Sequence, residues 1–374
     1  MNFAQISVKG TSRHAVLVNM AQTKMKAAFI DHSFHKKTSS NAFIKELLSE
    51  TFDLTYYYDE SWIGGKKVNI DTLKNSNYEY IFYWQVIHDV RELKKLKNKK
   101  IIWFPMWDEV VGMSTTGWLL FRTIPIKIVC FSKTLYDKLK NLEFNCRYFQ
   151  YFMNPETLQI ISDFNTKRVY FWIRTEELTW DIIKKKIRSN NIDSLTFMAV
   201  PDPKHSLVLP TEEDIKKYNI KIYEQFLEQD EYQNLVSKAN IYIAPRKHEG
   251  IGMSFLEALC RGQCVIAPNT PTMNEYIKDG ENGYLYDLDD RENLKELDLS
   301  DFELIAKTAR KRAVIGYKIW QQQKVELVEY INNDKNFYKS SEIVIFLKIK
   351  YLQTYSLITK MYRLMTLIIN KFHF

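Results

Sequence analysis

Two glutamates with seven residues between them, Glu249 and Glu257, mark the part of the sequence best equipped for chemistry. The run reads Pro245, Arg246, Lys247, His248, Glu249, Gly250, Ile251, Gly252, and leads into an apolar segment from Met253 that carries Glu257. Gly250 and Gly252 permit a tight backbone path and close approach by a ligand. A helix starting near Met253 would aim its free amides at that loop, a setting that favours phosphate. Arg246, Lys247 and His248 add positive or titratable charge beside it. Two carboxylates repel a phosphate, so they suit hydroxyls of a sugar or ribose better. On these residues alone a plainer reading stays open: a glycine pair before a helix is often only a turn, and Glu257 could be a solvated helix residue.

Such a loop needs strands and helices to aim it, and the pattern supplies them. From Met25 onward strands and helices alternate: strand Lys26–Asp31, helix Ala42–Ser49, strands Leu54–Tyr58 and Tyr80–Trp84, a charged helix or turn over Asp89–Lys100, then strand Ile101–Phe104. Ile128–Phe131 is a further strand, followed by Ser132 as helix cap, a helix from Lys133 to about Leu139, and a last strand over Tyr148–Phe152. The second half restarts with strand Val169–Ile173, a helix from Glu176 to about Arg188, and strands Leu195–Val200 and Ile220–Tyr223. Helix Leu227–Ala239, strand Ile241–Ala244, the loop, helix Met253–Arg261 and strand Cys264–Ala267 complete it. This predicts an α/β protein of two Rossmann-like domains, residues 25–160 and 161–334, with parallel sheets facing a cleft. Residues 1–24 read as an N-terminal extension without an export signal.

The 374 residues suffice for two cores, and 45% hydrophobic content excludes a largely disordered chain. Four cysteines, Cys130, Cys146, Cys260 and Cys264, are too few and scattered for a disulfide scaffold or zinc site. They point to reduced core residues of a cytoplasmic protein. The net charge of +8 draws polyanions. No zinc-finger spacing or other recognition motif accompanies it, so no specific nucleic-acid partner is expected. Much of the charge lies in a tail, residues 335–374, where Lys335, Lys339, Lys348, Lys350, Lys360, Arg363 and Lys371 face a single acid, Glu342. Apolar and aromatic residues between them predict one or two basic amphipathic helices suited to an anionic membrane surface. Packing across the domains or a homo-oligomer contact is the competing reading.

The stretch EGIGMSFLEALCRGQCVIAPNTPTMNEYIKDGENGYLYD resembles the donor-site signature of retaining glycosyltransferases of family 4, which have the GT-B fold. Glu249 and Glu257 match its paired glutamates, and Gly262, Val265, Ile266, Glu275 and Gly283 match in order. The resemblance covers roughly 45 residues in detail and the rest only in architecture. It implies transfer of a sugar, with retention, from a UDP- or GDP-sugar to a glycan or lipid-linked hydroxyl in surface polysaccharide or lipopolysaccharide synthesis. Glu249 would contact the sugar and Glu257 the ribose. Backbone around Gly250, Ile251, Gly252 and Met253 would meet the sugar or diphosphate, and Thr270, Pro271 and Thr272 would line the nucleotide pocket. Arg174 matches an arginine that neutralises the diphosphate, although without the resemblance it reads as a surface cation after a strand.

The pattern is broken twice. A lysine soon after that arginine is missing from RTEELTW, so Lys247, Arg246 or one of Lys184–Lys186 would have to supply the charge. Trp107 stands where many members carry a histidine beside the sugar, leaving Asp108, His88 or a backbone carbonyl to make that contact. The activity implied needs no tightly bound cofactor. Asp287-Leu288-Asp289 has the spacing of a metal-binding DxD motif but reads better as acids near a helix start, so no metal is expected. The alternatives are a non-catalytic or partner-dependent GT-B subunit and a sugar-nucleotide epimerase. The implied location is the cytoplasm, at the inner face of the membrane.

Overall fold

The computed structural model describes residues 24–38, 40–288, 296–337 and 339–372, the side chains of 336 and 362–372 excepted. The N-terminal extension up to residue 23, and Asp289 of the DxD triplet, lie outside the described residues. In the first domain β1 (Met25–His32), β2 (Phe52–Asp59), β3 (Tyr80–Trp84), β4 (Lys100–Phe104), β5 (Ile126–Cys130) and β6 (Cys146–Tyr148) form one sheet in the order β2-β1-β3-β4-β5-β6. The second sheet runs β12-β11-β10-β7-β8-β9, from β7 (Arg168–Ile173), β8 (Ser194–Ala199), β9 (Ile220–Tyr223), β10 (Ile241–Ile243), β11 (Cys264–Pro268) and β12 (Tyr284–Tyr286). Every strand pairing is parallel. The reason is visible in β3, β5 and β11, whose residues are buried throughout and therefore need helices on both faces.

Helices Ala42–Ser49 and Met253–Arg261 run as the sequence predicts. Ser132 caps Lys133–Asn141, its Oγ accepting from the Leu135 amide. Some boundaries differ for identifiable reasons. β6 ends at Tyr148 rather than Phe152, because Phe149, Tyr151 and Phe152 turn into a core shared by both domains. The helix expected from Glu176 starts at Trp180, since Glu176 instead binds His205 and the Ser206 amide. Helix Glu212–Lys217, capped by Thr211, and strand β12 are additional elements. The four cysteines are unpaired and buried.

The chain crosses between the domains twice. A helix over Phe302–Asn332 starts on the second domain, with Phe302, Ile305 and Ala306 in its core, and ends on the first. There Trp320 packs on Phe43, Phe131 and Tyr151. The buried Lys127 ammonium donates to the carbonyls of Tyr330 (2.6 Å), Ile331 (2.9 Å) and Asn333 (2.7 Å), satisfying the orphaned end of this helix. Helix Phe302–Asn332 therefore packs on both domains. A second contact joins the sheets' carboxyl edges. Glu275 accepts from Ser132 Oγ (2.9 Å) and from the amides of Lys133 (2.6 Å) and Thr134 (2.9 Å), so one domain's carboxylate caps the other's helix.

The tail forms a single helix, Glu342–Phe372, beside helix Thr115–Phe121 of the first domain. Ile345 is buried, while Phe346, Leu347, Tyr351, Tyr355, Leu357 and Ile358 are exposed. Lys94–Glu342 (2.8 Å) and Lys348–Glu143 (3.3 Å) tie the helix down. Among the described residues no helix is long and apolar enough to cross a membrane.

Candidate active site

Each sheet reverses strand order once, and an open parallel sheet leaves a crevice at the carboxyl ends of its strands there. In the second domain the reversal lies between β7 and β10. Arg174 and Thr175 follow β7, and Arg246 follows β10 at the start of the glycine loop. Asp202, just past β8, bridges the arginines. Its Oδ1 accepts from Arg174 Nε (2.8 Å) and Nη2 (2.5 Å), and its Oδ2 from Arg246 Nη2 (2.5 Å).

The loop is held open by the segment behind it. Thr270 Oγ1 donates to the Lys247 carbonyl, the Glu249 amide to the Pro271 carbonyl (3.3 Å), and Thr272 Oγ1 to the Ile251 carbonyl (3.2 Å). Gly252 has φ 81°, and a Cβ there would come within 2.0 Å of the Phe255 ring, so only glycine fits where the loop becomes helix. Gly250 sits against the other domain: a Cβ would lie 2.8 Å from Met106 Cβ and 3.0 Å from Asp108 Oδ1.

Across the cleft Asp108 is half-buried, 3.7 Å from Arg246 Nη1. Burial, with Glu249 close by, pushes its carboxyl up to about 7, against the pull of Arg246. Glu249 is itself buried, which raises its pKa while Arg246 and Arg174 lower it. Glu257 is also shifted upward by burial and accepts from Gln233 Nε2 at 3.3 Å. Asp108, Val111, Thr175, Glu177, Asp202, Arg246 and His248 line a pocket of about 390 Å³ between the domains.

Several candidates separate here. Arg246 lines the pocket; Lys247 is not among its lining residues. Lys184 pairs with Asp214 (2.9 Å), Lys186 is buried over the Tyr286 ring, and Lys185 is exposed. His88 is a core residue, 1% exposed, bonded to Tyr83 OH (2.9 Å) and the Val68 carbonyl (2.8 Å). It has no access to the cleft, so the sequence-based option of His88 as a reacting-centre contact falls. Trp107 meets the loop through an edge contact with His248, ring centroids 6.4 Å apart. Asp287 accepts from Asn269 (3.0 Å). Among the described residues no group of three or more His, Cys, Asp or Glu side chains is arranged to hold a metal.

Sequence reasoning missed two features. One is Asp202, whose only signal was its place in Pro201-Asp202-Pro203 directly after a strand. The other is a polar chain at the first sheet's reversal, between β1 and β3. His32 Nε2 meets Gln85 Oε1 (3.2 Å), and Gln85 Nε2 donates to Glu109 (3.0 Å). Burial, reinforced by His35, lowers His32 to about 4, so it is neutral.

The chain superposes on solved structures over most of its length. Sucrose-phosphate synthase from Thermosynechococcus elongatus superposes with a TM-score of 0.59 at 12% identity, covering 82% of this chain and 99% of that one. A glycosyltransferase from Rickettsia africae ESF-5 gives 0.54 at 13% identity, over 84% and 100%. Anabaena HepE, solved with UDP and glucose, gives 0.51 at 12% identity, over 82% and 100%. The fold is GT-B. Within this GT-B chain the profile of the family Glycosyl transferases group 1 matches residues 209–303, the segment holding the glycine loop and both glutamates. No curated protein matches the sequence.

Proposed function

We propose that the protein is a retaining glycosyltransferase that moves a sugar from a nucleoside-diphosphate sugar to a hydroxyl of a glycan or lipid-linked acceptor. The observation that carries this reading is the pairing of Arg174 and Arg246 at the β7/β10 crevice, beside the glycine loop. A departing nucleoside diphosphate develops charge that fixed guanidinium groups and helix-end amides stabilise without reorganising. In this reading the amides from Gly250 to Met253 meet the diphosphate or sugar, Glu249 accepts from sugar hydroxyls, and Glu257 accepts from the ribose. Thr270, Pro271 and Thr272 brace the loop on the nucleotide side. Asp108, held near a neutral-pH proton exchange, faces the reacting centre from the other domain.

HepE binds UDP and glucose. A galactosyltransferase of the lipopolysaccharide outer core superposes at a TM-score of 0.52. The first favours a UDP-sugar donor and the second a surface-glycan acceptor. The test is a panel of UDP- and GDP-sugars assayed for binding and transfer, with the anomeric configuration of the product read by NMR. Inversion would remove the retaining mechanism; absence of any nucleotide binding would remove the reading altogether.

The exposed apolar and aromatic face of helix Glu342–Phe372, with Lys350 and Lys360 along it, is assigned to an anionic membrane surface at the cytoplasmic side. Deleting residues 340–374 should abolish binding to anionic liposomes, and undiminished binding would sink the assignment.

A further inference from the structure

The arginine pair is already occupied by a side chain of the protein itself. Asp202 gives one oxygen to the fork of Arg174 and the other to Arg246, with lengths of 2.5–2.8 Å. Two guanidinium groups converging on the two oxygens of one planar anion offer the donor geometry that a phosphoryl group also selects. A diphosphate cannot simply join this arrangement. Asp108, Asp202 and Glu249 already surround Arg246, so a further anion would face three carboxylates around one cation.

Two further facts say which group gives way. Asp202 lies on the segment after β8, which carries no regular structure from Val200 to Pro210 and is bordered by Pro201 and Pro203. Among the described residues the two arginines are the side-chain partners of Asp202 Oδ1 and Oδ2, so rotating the side chain frees both. Arg246, by contrast, keeps a buried Nε–H without a hydrogen-bond partner, a donor that a second anion in the pocket could take up.

We propose that Asp202 is an internal stand-in for the donor's diphosphate: it holds Arg174 and Arg246 together and surrenders both when the diphosphate enters. Arg246 thereby takes the role left empty by the missing lysine of the RTEELTW stretch. Asp202 acts as a positioning residue and sets the threshold for donor entry, since only an anion that can bridge both guanidinium groups displaces it. This rests on the nucleotide-sugar reading of the same pocket, and the experiment separates the two.

Binding of UDP, inorganic pyrophosphate and inorganic phosphate is measured by calorimetry for the wild type, Asp202→Asn and the double variant Asp202→Asn/Arg246→Ala. Asp202→Asn should bind UDP and pyrophosphate at least about tenfold more tightly, because two charge-assisted pairs no longer have to be broken. Phosphate should gain less, and the double variant should lose the gain. Melting temperature is the second readout: Asp202→Asn should melt lower without anion, and pyrophosphate should raise its melting temperature more than that of the wild type. Unchanged or weaker pyrophosphate and UDP binding in Asp202→Asn overturns the stand-in while leaving the nucleotide reading intact if the wild type binds UDP. A pyrophosphate gain without UDP binding by any variant supports the stand-in and overturns the nucleotide reading. A gain that persists in the double variant is a general charge effect and overturns the role of Arg246.

Discussion

The two crevices of this molecule follow one topological rule and are built in opposite ways. At the β7/β10 reversal the loop residues Arg246–Gly252 are consecutive, and Arg174 and Asp202 close on them from adjacent strands. At the β1/β3 reversal His32 ends β1, Gln85 follows β3 and Glu109 sits in the short helix Trp107–Val110 after β4, and they meet only in the folded domain. The first crevice is rich in charge. The second centres on His32, held uncharged, with the Glu109 carboxylate at the far end of its chain. A charged crevice suits the anionic half of a reaction and one centred on an uncharged imidazole suits hydroxyl groups, which matches the proposed division between nucleotide and acceptor.

The largest effect should follow Glu249→Ala. If the carboxylate acts on the transferred sugar, transfer should fall by about 10²–10³ while affinity for free nucleotide changes far less. Glu257→Ala should do the reverse, weakening nucleotide binding by about tenfold or more and sparing turnover at saturating donor. Steady-state kinetics and UDP titration on both variants decide it. Equal losses in both parameters for both variants would erase the division of labour.

Next comes Lys127→Met, which sharpens the contrast between cations. Arg246 lines the pocket and Arg174 joins it through Asp202, whereas Lys127 holds three carbonyls in the seam where the returning helix ends. Leaving those carbonyls without a donor should cost about 3 kcal/mol or more, read as a lower denaturant midpoint, with donor affinity preserved. A variant of normal stability but weak donor binding would move Lys127 into the functional class.

Asp108 tests the cleft from its other wall. Its carboxyl is raised from an ordinary value of 3.8 to about 7, chiefly by burial and then by Glu249. Between those values the unfolded chain carries the charge and the folded chain keeps the proton. Asp108 therefore contributes stability in full below about pH 4, and this is lost as pH rises to about 7. Asp108→Asn should gain on the wild type across that window and hold a constant lead above it. Parallel curves of melting temperature against pH would show that the cleft does not desolvate Asp108.

What could be read from the sequence divides along the same line. Glu249, Gly252 and the helix after them were legible because a glycine turn before a helix is a local event, and most strands showed as short apolar runs. The His32–Gln85–Glu109 chain left no local trace, since nothing in the sequence places residues 53 and 24 positions apart in register. Asp202 was hidden for the same reason: its partners lie 28 and 44 positions away. His88 went astray because a histidine after an apolar strand looks the same in sequence whether it faces a cleft or, as here, a core tyrosine. The long helix Phe302–Asn332 shows a boundary that sequence cannot give, because where it changes domain depends on what Trp320 and Tyr330 pack against.

The smallest effect should separate the crevices by their backbones. Each lip contains one residue in the left-handed region, Gly252 at φ 81° and Gln85 at φ 64°. Gly252→Ala places a Cβ 2.0 Å from the Phe255 ring and should cost about 2 kcal/mol or more. Gln85→Gly should shift stability by less than about 1 kcal/mol. It relieves a left-handed strain of roughly 1–2 kcal/mol but gives up the contacts to His32 and Glu109 and adds chain entropy. Glycine would be the easier residue there on backbone grounds alone, so what keeps glutamine must lie in its side chain. If Gln85→Gly proves clearly stabilising while acceptor KM rises, the strain is being held for the sake of the amide. If it stabilises and acceptor KM does not move, the His32–Gln85–Glu109 chain is scaffold, and the β1/β3 crevice loses its claim on the acceptor.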